Sequence, residues 1–293
     1  MQSHGQGHAT SLAQIASEAT SIPITAITVH EGDTDVVPSG NGTSASRSIV
    51  LAGGATYEAC MKLALRLRTI AAKLMDVPLE ATCIEAQTVA GPARSVPFAR
   101  IAQVALQHVH ELPEGIEPGL EFISSYRPPV ETGTFASGLH VAKVVVSLDT
   151  GAVRVIDYLV VEDCGRAVNP MIVDGQVYGG VAQGIGQALY ESLRYDAEGQ
   201  PTSVTLADYL LPGFSEVPDV RIEHQETLSP FTVFGMKGTG EGGCIGGPAA
   251  IGNAVSDALG NVAVTETPIT AAAVWRALAR AHTERRRTAT WTR

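Results

Sequence analysis

The sequence predicts an α+β fold of layered mixed sheets with packed helices, and three observations lead there. At 293 residues, 45% hydrophobic and only 17% charged, the chain can bury a substantial core. The stretch "ASGLHVAKVVVSLDTGAVRVIDYLVVEDCG" alternates apolar and polar residues on both sides of Asp149-Thr150-Gly151, which is a hairpin pattern. Strands come in pairs with helical patterns between them instead of in strict strand–helix–strand alternation.

Taken in order, "SHGQGHATSLAQIASEA" leads from a glycine-rich loop into an amphipathic helix with Leu12, Ile15, Ala16 and Ala19 on one face. "ITAITVHEGDTD" reads as a strand, being β-branched and ending in a Gly-Asp turn signal. "PSGNGTSASRS" is a small-residue loop before a long helix from about Ala55 to Leu74, and beyond Pro78 "TCIEAQTV" reads as one short strand. A helix near Phe98–His110 follows, and then "ELPEGIEPG", whose Pro, Gly and acid content marks a connector. The expected division is a first α+β subdomain over 1–115 and a second over 116–293. In the second, the hairpin leads to the glycine-interrupted helix "VDGQVYGGVAQGIGQALYE", and a last glycine loop leads to the helix "PAAIGNAVSDAL".

Composition excludes some functions. A net charge of −10 is the wrong sign for a nucleic-acid binder, and the basic run Arg285–Arg287 reads as a solvated tail. Cys60, Cys83, Cys164 and Cys244 form no CxxC pair, so no iron–sulfur or zinc site of ordinary spacing is expected within the chain. Sparse thiols, no membrane-length apolar run and no signal pattern lead to the expectation of a soluble, cytoplasmic protein.

Four loops carry candidate chemistry. Gly5, Gln6, Gly7 and His8 form the first. His4 and His8 have the spacing of a helical zinc pair, but the intervening glycines oppose a helix, whereas the Gln6 amide can both donate to and accept from a polar ligand. Thr43, Ser44, Ala45, Ser46, Arg47 and Ser48 precede a helix, where free amides and the helix dipole suit an anion; a plain N-cap is the competing reading. Gln183 and Gly184 offer either a ligand-lining segment or close helix packing. In "FGMKGTGEGGCIGGPAAIGNAV", seven glycines from Gly235 to Gly247 surround one acid, Glu241. Gly238, Gly240 and Gly243 satisfy GxGxxG, with Glu266 downstream, but too few residues follow for a dinucleotide fold and "SPFTVFGMK" is a poor buried strand. A carboxylate among glycines, if partly desolvated, has the raised pKa that a general base needs. Asp163 is read as fixing the loop before "CGRAVNP".

"GQGHAT", "GDTDVVPSGNGTSASRS", "VVEDCGRAVNPMIVDGQVYGGVAQGIGQALYE" and "KGTGEGG…PAAIGNAVSDAL" occur in the order found in the molybdenum-binding large subunit of the xanthine oxidase family, which the chain resembles throughout its length. The family includes xanthine dehydrogenases, aldehyde oxidoreductases and aerobic carbon monoxide dehydrogenases. The resemblance implies the fold of the second half of that molybdenum-binding domain. It implies a molybdenum cofactor, as molybdopterin or molybdopterin cytosine dinucleotide, lined by Gly5, Gln6, Gly7 and His8, with Gln6 near the metal's oxo ligand. Thr43 to Ser48 would hold the phosphate or dinucleotide end, and Gln183, Gly184, Lys237 and Gly238 further line the cofactor. No protein metal ligand is implied. Glu241 would be the base that activates a water-derived oxygen toward a C–H bond of an aldehyde or N-heterocycle, or toward carbon monoxide. Family subunits are longer, so a chain supplying the N-terminal half of the molybdenum domain is an expected partner. An iron–sulfur subunit and an FAD subunit would carry the electrons away. A non-catalytic remnant or assembly partner and an NAD-dependent dehydrogenase are the alternatives.

Overall fold

The structure, a computed structural model, describes residues 1–290 apart from Pro38, Asn41 and 131–133, and only the backbone of 282–290. Asn41 of the small-residue loop and the side chains of Arg285–Arg287 therefore lie outside the described residues. The chain divides into two compact units: 1–135 with 166–169 and 228–238, and 136–165 with 170–227 and 239–293. The connector at 111–119 lies inside the first unit. Gly119 donates its N–H to the Ala105 carbonyl at 2.9 Å, and Arg66 donates to the carbonyls of Glu117 and Gly119.

Unit 1 is built on two helices, α1 (His8–Thr20) and α2 (Ser48–Met75). The predicted face of α1 is the packed one, with Leu12, Ile15 and Ala16 buried. Helix α2 starts seven residues before the expected Ala55 (55 − 48), running straight through Gly53 and Gly54. Neighbours occupy the space their side chains would fill: a methyl on Gly53 would lie 2.8 Å from Ile15 Cδ1 and 2.9 Å from Met236 Cε, and one on Gly54 would enter the Tyr126 ring. Close packing offsets the roughly 1 kcal/mol helix penalty of each glycine.

The expected strand over "TCIEAQTV" is instead a hairpin, β1 (Cys83–Glu85) and β2 (Thr88–Ala90), extended antiparallel by β3 (Ser95–Pro97). Ala86 and Gln87 turn it with φ of 46° and 40°, a left-handed pair with no glycine or asparagine to announce it. Helix α3 (Phe98–Leu106) follows, ending short of His110. Val89, Ile101, Val104 and Ile70 are fully buried where sheet, α2 and α3 meet. "ITAITVHEGDTD" is not a strand. It holds one 3-10 turn, Ile24–Ala26, and among the described residues no strand pairs with it, so its β propensity finds no ladder.

Unit 2 holds the predicted hairpin as β4 (Ser137–Val146) and β5 (Val153–Asp163), with a register irregularity at Lys143/Val144. A third strand, β6 (Val220–His224), pairs parallel with β5. Helix α4 (Pro170–Leu189) lies between β5 and β6 in sequence, so the mixed sheet contains one strand–helix–strand unit. After it come the single turn α5 (Gly242–Ile245), α6 (Gly247–Ala258) and α7 (Ala271–Thr290). Val155, Tyr158 and Val160 from β5 pack with Val177, Val181 and Ile185 of α4 and with Ile251 and Val255 of α6. Each such buried aliphatic side chain is worth about 1.5–3 kcal/mol relative to exposure.

Candidate molybdopterin site

The predicted segments collect in two groups, one in each unit. In unit 1, Thr43 donates its hydroxyl to the Gln2 carbonyl, tying the N-terminal loop to the small-residue loop. Gly238 seats against the Ser46 main chain so closely that a methyl there would overlap the Ser46 carbonyl. Its N–H donates to Thr134 O at 3.2 Å. Segments 1–8, 43–48 and 237–238 are therefore linked.

The small-residue segment enters α2 without a cap. Ala45 and Ser46 both have φ above 50°, and Arg47 at the N-cap makes no side-chain capping bond. The first amides of a 28-residue helix thus have no carbonyl of their own helix to donate to, and the N-cap residue supplies no side-chain acceptor. Gly5 and Gly42 have φ of 110° and 70°, with nothing within 4 Å of where a side chain would project. Gln6 accepts the His4 N–H through Oε1, which leaves its NH₂ as the end that can donate. Open backbone beside an uncapped helix start fits a cofactor bearing phosphate. His8 is the first residue of α1, buried, with Nδ1 3.5 Å from Glu31 Oε2. Among the described residues no group of three or more His, Cys, Asp or Glu could hold a metal ion directly. A cavity of about 500 Å³ in unit 1, lined by residues including Gln14, Glu18, Arg166 and Phe234, includes none of the predicted residues.

In unit 2, α4 and the glutamate loop meet backbone to backbone. Gly184 faces the Gly247 Cα, where an added methyl would lie 3.2 Å away, so this glycine serves helix packing; Gln183 beside it is exposed. Gly180 faces Gly243 in the same way, with 2.7 Å from an added methyl to its Cα. Glu241 is the N-cap of α5, with φ −104° and ψ −8°. The N–H groups of Cys244 and Ile245 donate to its carbonyl at 3.0 and 3.2 Å. Its side chain is exposed, because flanking glycines supply nothing to cover it.

The desolvated acid is Glu162, at 1% exposure, which sequence reading missed. Burial pushes its carboxyl above the usual range, against the Thr239 hydrogen bond and the charge of His224. Asp163, next to it, does fix a loop: Oδ1 accepts the N–H of Gly165 at 3.0 Å and of Thr227 at 3.1 Å. His140 and Tyr158 were also missed. His140 Nε2 lies 3.1 Å from the Gly242 carbonyl, which can only accept, so Nε2 carries the hydrogen. Burial lowers the His140 pKa and favours the neutral ring, so Nδ1 accepts from the Tyr158 hydroxyl at 3.0 Å. Burial pushes the Tyr158 phenol up to about 12, keeping it a donor. The signal for all three was parity along β4 and β5: Tyr158, Val160 and Glu162 alternate inward, with His140 paired opposite Val160.

The His140 shift predicts a pH dependence. The unfolded ring titrates near 6.5 and the folded ring lower, so its contribution is present above 6.5 and is lost as pH falls through the folded value. The urea midpoint of the wild type should fall more between about pH 7 and about pH 5 than that of His140→Gln. Equal falls would remove His140 as a source of acid lability.

Residues 1–218 match the family model of the molybdopterin cofactor-binding domain. The chain is 39% identical over 262 residues to the nicotine 6-hydroxylase large subunit of Paenarthrobacter nicotinovorans, covering 88% of this chain and 32% of that one. It is 36% identical to the carbon monoxide dehydrogenase large chain of Hydrogenophaga pseudoflava, covering 94% and 34% respectively. Quinoline 2-oxidoreductase of Pseudomonas putida 86 superposes with a TM-score of 0.87 at 39% identity, over 95% of this chain and 36% of that one. The chain belongs to the molybdopterin cofactor-binding domain family, in the molybdenum-binding large subunits of xanthine-oxidase-type oxidoreductases. It spans about a third of the length of the curated relatives it matches. No described helix is long and apolar enough to cross a membrane.

Proposed function

We propose that this chain forms part of the molybdenum site of a hydroxylase oxidising a C–H bond of an aldehyde or N-heterocycle, or carbon monoxide, with Glu241 as general base. The observation that carries the reading is the placement of Glu241. It is a lone acid at the exposed start of α5, flanked by Gly240, Gly242 and Gly243, with its backbone held by α5. When bound, the molybdenum cofactor would supply the two-electron acceptor and the water-derived oxygen. Gln6 would orient it by donating from NH₂, and the amides opening α2, with Gly5, Gly7, His8, Thr43 to Ser48, Lys237 and Gly238, would hold the pterin or its cytosine dinucleotide end. Gln183 would line it from α4, with Gly184 beside it letting that helix pack close to α6. The Glu241 carboxylate would take the proton released as oxygen reaches the substrate carbon.

The reading assigns the chain to the cytoplasm. Its partners are polypeptide supplying the rest of the molybdenum domain, an iron–sulfur subunit and an FAD subunit. The names of relatives support such an assembly, being those of a large subunit, a large chain and a complex subunit gamma. The test is to purify the chain within its assembly, quantify molybdenum and supply isotopically labelled water. One molybdenum per chain and label in the product are expected. An assembly with stoichiometric molybdenum but no turnover would make the chain a non-catalytic remnant, and NAD binding by the chain without molybdenum would make it a dehydrogenase.

A further inference from the structure

Two side chains of unit 2 grip the glutamate loop from the sheet. Thr239 donates its hydroxyl to Glu162 Oε1 at 3.1 Å, and His140 donates Nε2–H to the Gly242 carbonyl at 3.1 Å. Thr239 and Gly242 bracket Glu241 and are joined to each other, the Gly242 N–H donating to Thr239 O at 3.1 Å. Both grips come from one face of neighbouring strands, since Gly138 pairs with Glu162 and His140 with Val160. Gly242 also leaves room for the acid: a methyl on it would lie 2.6 Å from Glu162 Oε1.

Glu162 is a poor structural choice unless it has a task. Its Oε2 is buried without a hydrogen-bond partner, and a buried unsatisfied acid is costly where an apolar residue would pack freely. The two preceding inward positions of β5 are Tyr158 and Val160, both fully buried in the core. Asp163 beside Glu162 adds a like charge, and the nearby His224 ring is itself engaged with Asp174 at 2.7 Å.

We propose that Glu162 is a positioning residue for the base: its carboxyl accepts from Thr239 and anchors it while the Tyr158–His140 pair anchors Gly242, so that Glu241 is held at one height. The role in turnover rests on the reading of Glu241 as base; the role in holding the loop does not. Glu162 touches no reacting atom in this scheme. Gln at this position keeps a group able to accept from Thr239, whereas Leu keeps only the volume.

The test measures hydrogen exchange in the full chain and turnover in the assembled enzyme. In Glu162→Leu and in Thr239→Val, the amides of Gly242, Cys244 and Ile245 should exchange about tenfold faster, with those of β5 unchanged. Glu162→Gln should stay within about threefold of wild type, and the Leu/Val double variant should be no faster than either single one. In the assembly, Glu162→Leu should lower turnover about tenfold with KM and molybdenum content unchanged, and Glu162→Gln should restore it. Unchanged loop exchange in Glu162→Leu or Thr239→Val would overturn the anchor. Damage by Gln equal to that by Leu would overturn acceptance of the Thr239 hydrogen bond as the source of the anchor. If Glu241→Gln kept wild-type turnover, the base reading would fall while the exchange result stood.

Discussion

Replacing Glu241 by Gln is expected to lower turnover of the assembled enzyme by between about a hundredfold and ten thousandfold, the range over which a positioned base acts. Molybdenum content should be unchanged. The reason lies in how the loop is made: Glu241 contributes its carbonyl to Cys244 and Ile245 through the backbone, which Gln retains, while its side chain is exposed. Gln therefore removes the proton acceptor and keeps the backbone hydrogen bonds that begin α5. Retained molybdenum with lost turnover separates a base from a binding residue. A variant within a few fold of wild type would withdraw Glu241 from the chemistry.

The second large effect concerns two adjacent glycines of α4 and has opposite signs. A methyl on Gly180 would meet the Gly243 Cα and carbonyl carbon at 2.7 Å and the Cys244 nitrogen at 2.8 Å. These are backbone atoms that cannot rotate away, so Gly180→Ala should destabilise unit 2 by about 3 kcal/mol, the upper part of the overpacking range. At Gly179 nothing lies within 4 Å. Gly179→Ala should stabilise the helix by about 0.5–1 kcal/mol through backbone entropy. Urea denaturation of the full chain measures both. A Gly180→Ala protein as stable as wild type would mean that α4 and α5 are not in backbone contact.

The same glycines show what the sequence could and could not reveal. The hairpin β4–β5 was legible because alternation and a Asp-Thr-Gly turn are local signals, and α4 was legible despite its glycines because apolar residues recur at helical spacing. The start of α2 was not, since Gly53 and Gly54 resemble breakers until Ile15, Met236 and Tyr126 fill the space beside them. The Ala86–Gln87 turn carries no turn residue, and β6 acquires its identity from pairing with β5. At the candidate site, Glu241 stood out because its neighbours are glycines. Glu162 did not, because its burial depends on which face of β5 looks inward, and its partner Thr239 lies far along the chain.

Unit 1 also has a consequence for synthesis. Phe234 meets the Tyr57 ring edge-on at 5.2 Å, and Met236 fills the groove at Gly53, so the segment 228–238 seals a helix that precedes it by more than 150 residues (228 − 75). Domains ordinarily fold as they leave the ribosome, N-terminal first. Here α2 must wait with an apolar groove open while more than 150 further residues (228 − 75) are translated. The nascent protein therefore carries a sticky surface over that interval of elongation, making growing chains, more than finished ones, the species that needs chaperone protection.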